Sequence, residues 1–536
     1  MQGQTPYGVS PLAAAILRPV GVPTLETEVL VVGGGSTGAG VARDAAMRGL
    51  ATTLVERGDL ATGTTGRFHG LLHSGGRYAV KDPLAARECV VENAILRRTA
   101  ADCIEDTGGL FVSTRWDDPA FGDEFLNGCR ETGVPVEEVP VAEALRQEPR
   151  LDPGITRAFA VPDANLDPWK LVSACARSAR QYGAEILPYH RLVGFGLRDG
   201  QVVLARVSDE QSGDELVIRA DVVINASGAW AGQVAGLAGC EVSVLPGKGI
   251  MIAMNHRLVN TVVNRCKPPS DGDIIVPIRT VSVIGTTDVR VADPDELEVT
   301  KAEIDEMLDE GEKLVPGFRK ARALRVWAGA RPLYTPDEVA DTRDVSRTHT
   351  VIDHASRDGV DGFITITGGK TTTYRLMAEH AVDAACEKLG VDSPCRTHEE
   401  PLPDSEDERF YWLGARVRAQ EPVPGAEEII CECELITRRH LTEAIAHRAP
   451  TGLDDVRRRV RLAMGPCQGG FCIYRATGIL HEFQHLDHRA ANGALLDFLQ
   501  ERWKGVQPVL YGDQVRQARL DDWIFQGLLG VEHLPA

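Results

Sequence analysis

Four cysteines near the C-terminus have the spacing of metal ligands. Cys431 and Cys433 form a C-x-C pair, Cys467 and Cys472 form a C-x4-C pair, and the chain has twelve cysteines in all. Two close pairs of thiolates suit a tetrahedral metal ion or a small iron–sulfur cluster. The spacing differs from the paired C-x2-C of zinc ribbons, although zinc or an empty site stays open as an alternative. The other eight cysteines are interpreted as core residues.

A second motif, near the N-terminus, is typical of a nucleotide site. The β-branched run 28–32 is followed at once by G-x-G-x-x-G, formed by Gly33, Gly35 and Gly38, and then by a stretch of helical composition. Such glycines let the backbone approach a pyrophosphate at the N-terminus of a helix. A second strand ends at Glu56, the right distance along the chain to bind a ribose diol. An acid there favours NAD or FAD.

Later segments favour FAD over NAD. Residues 56–67, 222–232 and 361–379 contain small residues beside predicted strands, as if the chain returned repeatedly to one nucleotide domain. This pattern resembles glutathione-reductase-like flavoproteins, in which the flavin is buried along its length. The residues predicted to bind the cofactor are Gly33, Gly35, Gly38, Glu56, Arg57, Thr64, Thr65, Gly228, Gly368 and Gly369.

The cysteine segment also resembles a known module. Residues 464–472, MGPCQGGFC, are similar to the bacterioferritin-associated ferredoxin-like [2Fe-2S] module. The resemblance implies a [2Fe-2S] cluster held by the four cysteines. Its glycines would let backbone amides approach the cluster sulfurs and tune the potential.

From about residue 28 to 530 the chain resembles the large, flavin-bearing A subunits of anaerobic glycerol-3-phosphate dehydrogenases. This family oxidises sn-glycerol 3-phosphate to dihydroxyacetone phosphate, with hydride passing from C2 to FAD. The resemblance implies two partners, a second flavoprotein and an iron–sulfur protein that anchors the assembly to the membrane, with membrane quinone as the final acceptor. The stretches that carry it are ATGTTGRFHGLLHSGGRYAV (61–80), NRCKPPSDGDI (264–274), IGTTD (284–288), GARPL (329–333), DGFITITGGK (361–370), CEC (431–433) and ERWKGVQP (501–508).

The substrate of that family carries a phosphate dianion, which requires fixed cations. By resemblance, Arg331 and Arg347 would bind the phosphate, and Lys370 and Arg77 would line the flavin-facing pocket. A neutral histidine is the usual base near pH 7.

The predicted base is His256, which follows an apolar strand-like run. His69 and His73, which flank a glycine-rich turn, are alternatives. Related aerobic enzymes place a histidine earlier in the strand, where this chain has Gly249.

The predicted fold class is α/β and α+β. A glutathione-reductase-like FAD-binding Rossmann domain would be combined with an antiparallel-sheet substrate domain and a small C-terminal [2Fe-2S] domain. The last segment is interpreted either as a helical cap over the cluster module or as a docking surface for partners. The predicted boundaries are an N-terminal extension (1–25), an oxidoreductase domain (26–395, with FAD-binding parts 26–90, 150–240 and 345–395 and substrate parts 91–149 and 241–344), a linker (396–428), a cluster domain (429–480) and a helical tail (481–536).

Composition excludes several classes of protein. A net charge of −19 argues against nucleic-acid binding and against a polybasic grip on membranes. No apolar run is long enough for a transmembrane helix, and the N-terminus is a poor signal peptide. The expected location is the cytoplasmic face of the inner membrane, where partner subunits would hold the chain.

Two other functions are considered besides the oxidation of sn-glycerol 3-phosphate. One is an amino-acid or 2-hydroxy-acid oxidising flavoprotein of the same fold, and the other is a non-catalytic electron-transfer subunit.

Overall fold

The computed structural model describes residues 22–336, 342–420, 428–447, 452–512 and 514–533. Most of the predicted N-terminal extension and part of the predicted linker therefore lie outside the described residues. The strands are β1 Thr24–Val32, β2 Thr52–Glu56, β3 Leu71–Leu72, β4 Ile104–Glu105, β5 Gly109–Ser113, β6 Glu137–Val139, β7 Arg157–Val161, β8 Ala164–Leu166, β9 Glu185–Pro188, β10 His190–Arg198, β11 Gln201–Asp209, β12 Glu215–Asn225, β13 Val244–Met254, β14 Val262–Arg265, β15 Ile274–Ile278, β16 Val281–Gly285, β17 Val289–Arg290, β18 Ala323–Tyr334, β19 His349–Asp353, β20 Phe363–Gly368, β21 Ile429–Cys431 and β22 Ile436–Thr437. The helices are α1 Ser36–Met47, α2 Pro83–Thr99, α3 Phe121–Thr132, α4 Val141–Gln147, α5 Pro168–Gln181, α6 Ala231–Gly236, α7 Lys301–Leu314, α8 His354–Asp358, α9 Tyr374–Leu389, α10 Leu413–Gln420, α11 Arg438–His447, α12 Leu453–Val460, α13 Ile473–Gln484, α14 His488–Val506 and α15 Gln514–Asp522.

The first large sheet contains the nucleotide motif. Its order is β10-β11-β12-β1-β2-β9, and β20 pairs with the C-terminal part of β12. Strands β9, β2, β1, β12 and β20 are mutually parallel along these pairs, so their carboxyl ends meet at one edge. Helices α1 and α9 pack on one face, where Val29, Val41 and Ala381 share an apolar core. The predicted α/β fold class is confirmed.

The second large sheet, of nine strands, is almost wholly antiparallel. Strands β15 and β16 lie side by side in it and pair antiparallel. Helix α7 packs its apolar residues Ile304, Met307 and Leu308 on this sheet.

Residues 91–149, predicted to be a substrate part, combine helices with strands of the second sheet. Strands β5 and β6 lie in this stretch and pair with β7, so all three extend the second sheet. Every residue of β5 is buried, and a strand buried on both faces lacks the alternation that marks a strand in a sequence.

The cluster module and the tail share one core. Phe498 and Phe525 are buried there, beside Cys431 and Cys472. Trp503 and Trp523 are instead 44% and 67% exposed. The two phenylalanines therefore act as a cap, whereas the two tryptophans face solvent. No helix of the described ranges is both long and apolar enough to span a bilayer.

Four buried charges join the cluster module to the β15–β16 turn and to the N-terminus of helix α5. Arg279, in the β15–β16 turn, lies 3.2 Å from Asp167 and 3.1 Å from Glu434. Arg461 lies 3.2 Å from Glu434 and 3.6 Å from Asp167. Alternating signs make this ring neutral, so each buried charge is compensated.

Replacing Arg279 with alanine is expected to destabilise the protein by about 3–5 kcal/mol, because two buried carboxylates lose a partner. Thermal or urea unfolding would measure the change. Burial raises the pKa of Asp167, but Arg461 and Arg279 outweigh it, so the pKa is lowered below 3.8. The stabilisation from Asp167 is thus present at neutral pH and lost as the pH falls through its lowered pKa. An unchanged unfolding midpoint in the variant would contradict the role of the ring.

Candidate active site and cysteine cluster

A cavity of about 930 Å³ opens at the carboxyl ends of the parallel strands. It runs from the end of β1 to the second sheet, and such crevices are where nucleotides bind in open α/β sheets. All the predicted cofactor and substrate residues line it except two, Gly38, which lies within α1, and His256.

The glycine motif allows close packing at one end of this cavity. Gly33 has φ +113°, and a Cβ on it would lie 2.8 Å from the Ala226 carbonyl oxygen. A Cβ on Gly38 would lie 1.8 Å from the Gly33 carbonyl oxygen. Helix α1 starts after Gly35 with no side-chain cap, which leaves its N-terminus open to an anion such as a pyrophosphate.

Glu56 ends β2 with its carboxylate held by backbone. Its Oε2 accepts a 2.7 Å hydrogen bond from Gly34 N–H, and its Oε1 accepts a 2.9 Å bond from Gly58 N–H. Burial raises the pKa of Glu56, and these two bonds oppose that effect. Each carboxylate oxygen has a further lone pair, which can accept a hydrogen bond from a hydroxyl of a ribose diol.

The remaining cofactor candidates have defined partners. Arg57 forms a bidentate pair with Asp295 at 2.6 and 3.2 Å and lies over the Trp230 ring, so its charge is already compensated. Thr65 Oγ1 accepts a 3.0 Å bond from Ser36 N–H. The three remaining glycine candidates also have positive φ, which a side chain would strain. They are Gly228, Gly368 and Gly369.

Thr64 connects the two sheets at the cavity wall. Its Oγ1 donates a 2.6 Å bond to the carbonyl of Ala330 in β18. The cofactor end and the cation-lined end of the cavity are therefore held together at this point.

Two predicted arginines at the far end of the cavity have acidic partners. Arg77 makes a bidentate pair with Asp273 at 3.0 and 3.1 Å. Burial disfavours the charge, but Asp273 outweighs it and raises the pKa of Arg77. Arg331 lies 3.0 Å from Asp288 and also bonds Thr286 Oγ1 and the Thr287 carbonyl. Burial lowers the pKa of Arg331.

The positive charges of Arg347 and Lys370 are less compensated by nearby carboxylates than those of Arg77 and Arg331. Among the described residues, the Arg347 guanidinium makes no hydrogen bond or ion pair. Lys370 Nζ donates a 2.7 Å bond to the Arg347 carbonyl, and its nearest carboxylate oxygen, on Glu88, is 3.7 Å away. Because Arg77, Arg331 and Arg343 are each paired with a carboxylate, Arg347 and Lys370 supply the excess positive charge beside them. Sequence reasoning missed Glu88 because its contact with Lys370 joins segments far apart in the chain.

The prediction that His256 is the base is corrected here. His256 is exposed and lines a separate cavity of about 440 Å³, beside Leu258 and Pro316. The strand β13 ends at Met254, so His256 follows it into the turn and away from the flavin cavity.

The alternative histidines do line the flavin cavity. Burial, and secondly nearby Arg77, lowers the pKa of His69 to about 3. Burial, followed by His69, Arg77, Lys370 and Arg347, also lowers the pKa of His73. Both rings are neutral at pH 7. His69 Nδ1 accepts a 3.3 Å bond from Leu71 N–H, whereas no hydrogen bond joins the His73 ring to the described residues.

The four predicted metal ligands converge in the C-terminal module. Cys431 Sγ and Cys433 Sγ are 3.7 Å apart, matching the roughly 3.8 Å expected for two thiolates on one tetrahedral metal ion. Hydrogen bonds among the thiols lower the pKa of Cys431 and Cys467 and raise that of Cys433 and Cys472. Backbone N–H groups also lower the pKa of Cys431 and Cys467. Thiolate ligands with nearby N–H donors fit an iron–sulfur cluster.

Gly465 is required beside this cluster. A Cβ on Gly465 would lie 2.4 Å from Cys433 Sγ, so only glycine leaves room for the sulfur. The eight other cysteines are all buried and unpaired thiols, which agrees with their interpretation as core residues.

Comparison with known proteins agrees with both sites. Residues 28–375 match the FAD dependent oxidoreductase family, and residues 429–482 match the BFD-like [2Fe-2S] binding domain. The A subunit of the anaerobic glycerol-3-phosphate dehydrogenase of Escherichia coli is 43% identical, over 94% of this chain and 97% of that protein. The A1 subunit of the corresponding enzyme of Haloferax volcanii is 44% identical, over 95% and 91%.

A solved structure shows the same fold. Glycerol-3-phosphate dehydrogenase from Bacillus halodurans, complexed with FAD, has a TM-score of 0.64 and 21% identity, covering 91% of this chain and 96% of that one. The chain is thus an FAD-dependent oxidoreductase with a C-terminal [2Fe-2S] domain. It belongs to the family of anaerobic glycerol-3-phosphate dehydrogenase A subunits. The fold, FAD and [2Fe-2S] predictions are confirmed.

Proposed function

We propose that this chain oxidises sn-glycerol 3-phosphate to dihydroxyacetone phosphate. The observation that carries the proposal is the incompletely compensated charge of Arg347 and Lys370 at the cation-lined end of the FAD cavity. A phosphate dianion needs more than one positive charge, and a guanidinium offers it a bidentate donor. Arg331, which is positioned by Asp288, would provide a further hydrogen-bond donor to the phosphate.

FAD, when bound, accepts the hydride from C2 of the substrate. The chain itself must orient the alcohol, exclude water and remove the hydroxyl proton. We assign the base to His73, which is neutral and whose ring makes no hydrogen bond to the described residues. His69 is less suited, because the bond from Leu71 N–H to its Nδ1 leaves the proton on Nε2. Arg77, fixed by Asp273, would line the pocket opposite the flavin.

The family relationship supports a place in a larger assembly. Relatives are named as A subunits, so we propose that electrons leave through the cysteine-bound cluster. They would pass to a second flavoprotein and to an iron–sulfur protein, and then to quinone. The iron–sulfur partner would hold the chain at the cytoplasmic face of the inner membrane. The exposed Trp503 and Trp523, on the tail that caps the cluster module, fit a contact with such a partner.

Anaerobic mixing of the purified holoprotein with sn-glycerol 3-phosphate is expected to bleach the visible flavin absorption band. A 2-hydroxy acid or an amino acid at the same concentration should leave it unchanged, since one carboxylate would not use the two cationic groups. Bleaching by either of these compounds and not by sn-glycerol 3-phosphate would contradict the proposal. Absence of bleaching with all three would favour a non-catalytic electron-transfer subunit.

A further inference from the structure

A chain of titratable side chains leads from the flavin cavity to the protein surface. It begins at Lys370, which lines the cavity and is 8% exposed. Lys370 Nζ is 3.7 Å from Glu88 Oε2, on helix α2. Glu88 Oε1 is 3.9 Å from His349 Nδ1, at the start of β19. His349 Nε2 is 2.8 Å from Nδ1 of His380, on helix α9.

The outer end of this chain reaches water and the inner end does not. His380 is exposed, whereas the His349 side chain is only 5% exposed. Within the described residues, Glu88 Oε2 and His349 Nδ1 are buried polar atoms with no hydrogen-bond partner. Buried polar atoms are normally satisfied, so these two call for an explanation. Small rotations of Glu88 would close both gaps and satisfy both atoms.

We propose that Lys370, Glu88, His349 and His380 form the route by which the substrate hydroxyl proton leaves the buried site. The inference rests on the proposed function, because alcohol oxidation to a ketone releases one hydride and one proton. The hydride is accepted by FAD when it is bound, and the proton must reach solvent.

Each step of the route conserves charge. His73 takes the hydroxyl proton. It passes the proton to Lys370 as Lys370 gives one of its own protons to Glu88 Oε2, so Lys370 stays an ammonium. His73 and Lys370 both lie beside the Tyr78 ring, at a centroid distance of 5.2 Å and an Nζ distance of 5.0 Å.

The outer half then moves the proton to water. The protonated Glu88 carboxyl rotates and gives the proton to His349 Nδ1. When the proton of neutral His349 is on Nε2, its Nδ1 is unprotonated and can accept the proton from Glu88. His349 then releases the proton on Nε2 to His380 Nδ1. His380 passes a proton from its other nitrogen to water.

Local electrostatics bring the proton affinities of the two middle groups together. Burial raises the pKa of Glu88, with Lys370 and His380 opposing this and Asp82 adding to it. Burial, then His380 and Lys370, lowers the pKa of His349 to about 4. Proton transfer is efficient between groups of similar pKa.

The experiment follows flavin bleaching and proton release together. Holoenzyme is mixed anaerobically with sn-glycerol 3-phosphate in weak buffer that contains a pH-indicator dye. In the unmodified protein the proton should appear in solution at the rate of bleaching. In Glu88→Gln, release should lag by about tenfold or more, and added formate should restore it. His380→Ala should show a milder lag that added imidazole abolishes.

His398→Ala is the matched control, because His398 is a partly exposed histidine that lies outside the lining of the cavity. Its release rate should equal that of the unmodified protein. Rescue by small acids separates a proton route from a structural effect, which they would not repair. His380→Ala keeps the test valid if Glu88→Gln fails to fold, because His380 is at the surface.

Unchanged proton release in His380→Ala, with no dependence on added buffer, would overturn the route while leaving the proposed function intact. Failure of the unmodified protein to bleach with sn-glycerol 3-phosphate would overturn both.

Discussion

Arg347→Ala is expected to raise the sn-glycerol 3-phosphate concentration needed for half-maximal flavin reduction by about 10- to 150-fold. The Arg347 guanidinium has no ion-pair partner among the described residues, so its loss removes a donor to phosphate without leaving a buried carboxylate unpaired. A hydrogen bond between charged groups contributes about 1.5–3 kcal/mol, and each 1.4 kcal/mol is tenfold. Stopped-flow bleaching at a series of substrate concentrations would measure the change.

Lys81→Ala provides the matched control. Lys81 also lines the cavity, but it is half exposed and pairs with Asp344 at 2.7 Å. Its removal is expected to change the half-maximal concentration by no more than about fivefold, since exposed ion pairs contribute about 0–1 kcal/mol. Bound flavin should be retained in both variants. Equal effects of the two substitutions would show that general cavity charge, and not Arg347, binds the phosphate.

Arg331→Ala should behave differently from Arg347→Ala. Arg331 pairs with Asp288, which is mostly buried, so removing the arginine leaves that carboxylate without its partner. Weaker substrate binding is then expected together with loss of stability. The contrast separates a residue that holds the wall of the site from one that faces the substrate.

Cys433→Ser is expected to abolish cluster binding. The unmodified protein, prepared anaerobically, should contain about two irons and two acid-labile sulfides per chain, as a [2Fe-2S] cluster requires. With Cys433 replaced, both should fall close to zero, because one iron loses a thiolate at a site built for four. Iron and sulfide analysis, together with the visible spectrum, would measure the loss.

Cys240→Ser is the control for this substitution. Cys240 is a buried thiol outside the cluster, in the core beside Ala235. Iron and sulfide should stay at the level of the unmodified protein, even if the hydroxyl lowers stability. Flavin reduction by substrate should persist in Cys433→Ser, because the cavity and the cluster are built by different elements. Unchanged iron in Cys433→Ser, or zinc alone in the unmodified protein, would contradict the assignment.

Local patterns were enough to predict both cofactor sites. In the nucleotide motif, the glycines and Glu56 lie close along the chain, and their roles depend on one strand, one turn and one helix. The cysteine pairs are likewise short-range, and Gly465 lies two residues before Cys467. The family resemblance added the substrate and the residues predicted to bind it.

Only the tertiary structure decided which charges in the cavity are free. The sequence analysis assigned Arg77, Arg331 and Arg347 to the substrate pocket, but Asp273 and Asp288 compensate the charges of the first two across long stretches of chain. His256 was misplaced for the same reason, since the direction of the chain after β13 depends on sheet packing and not on local composition. Contacts between distant segments also created the Lys370–Glu88–His349–His380 array. The sequence by itself thus determined the nucleotide site, the four cysteine ligands and the family, because these depend on short motifs and on stretches that resemble a known family. Pairing, burial and access to water depend on long-range contacts, which only the folded chain supplies.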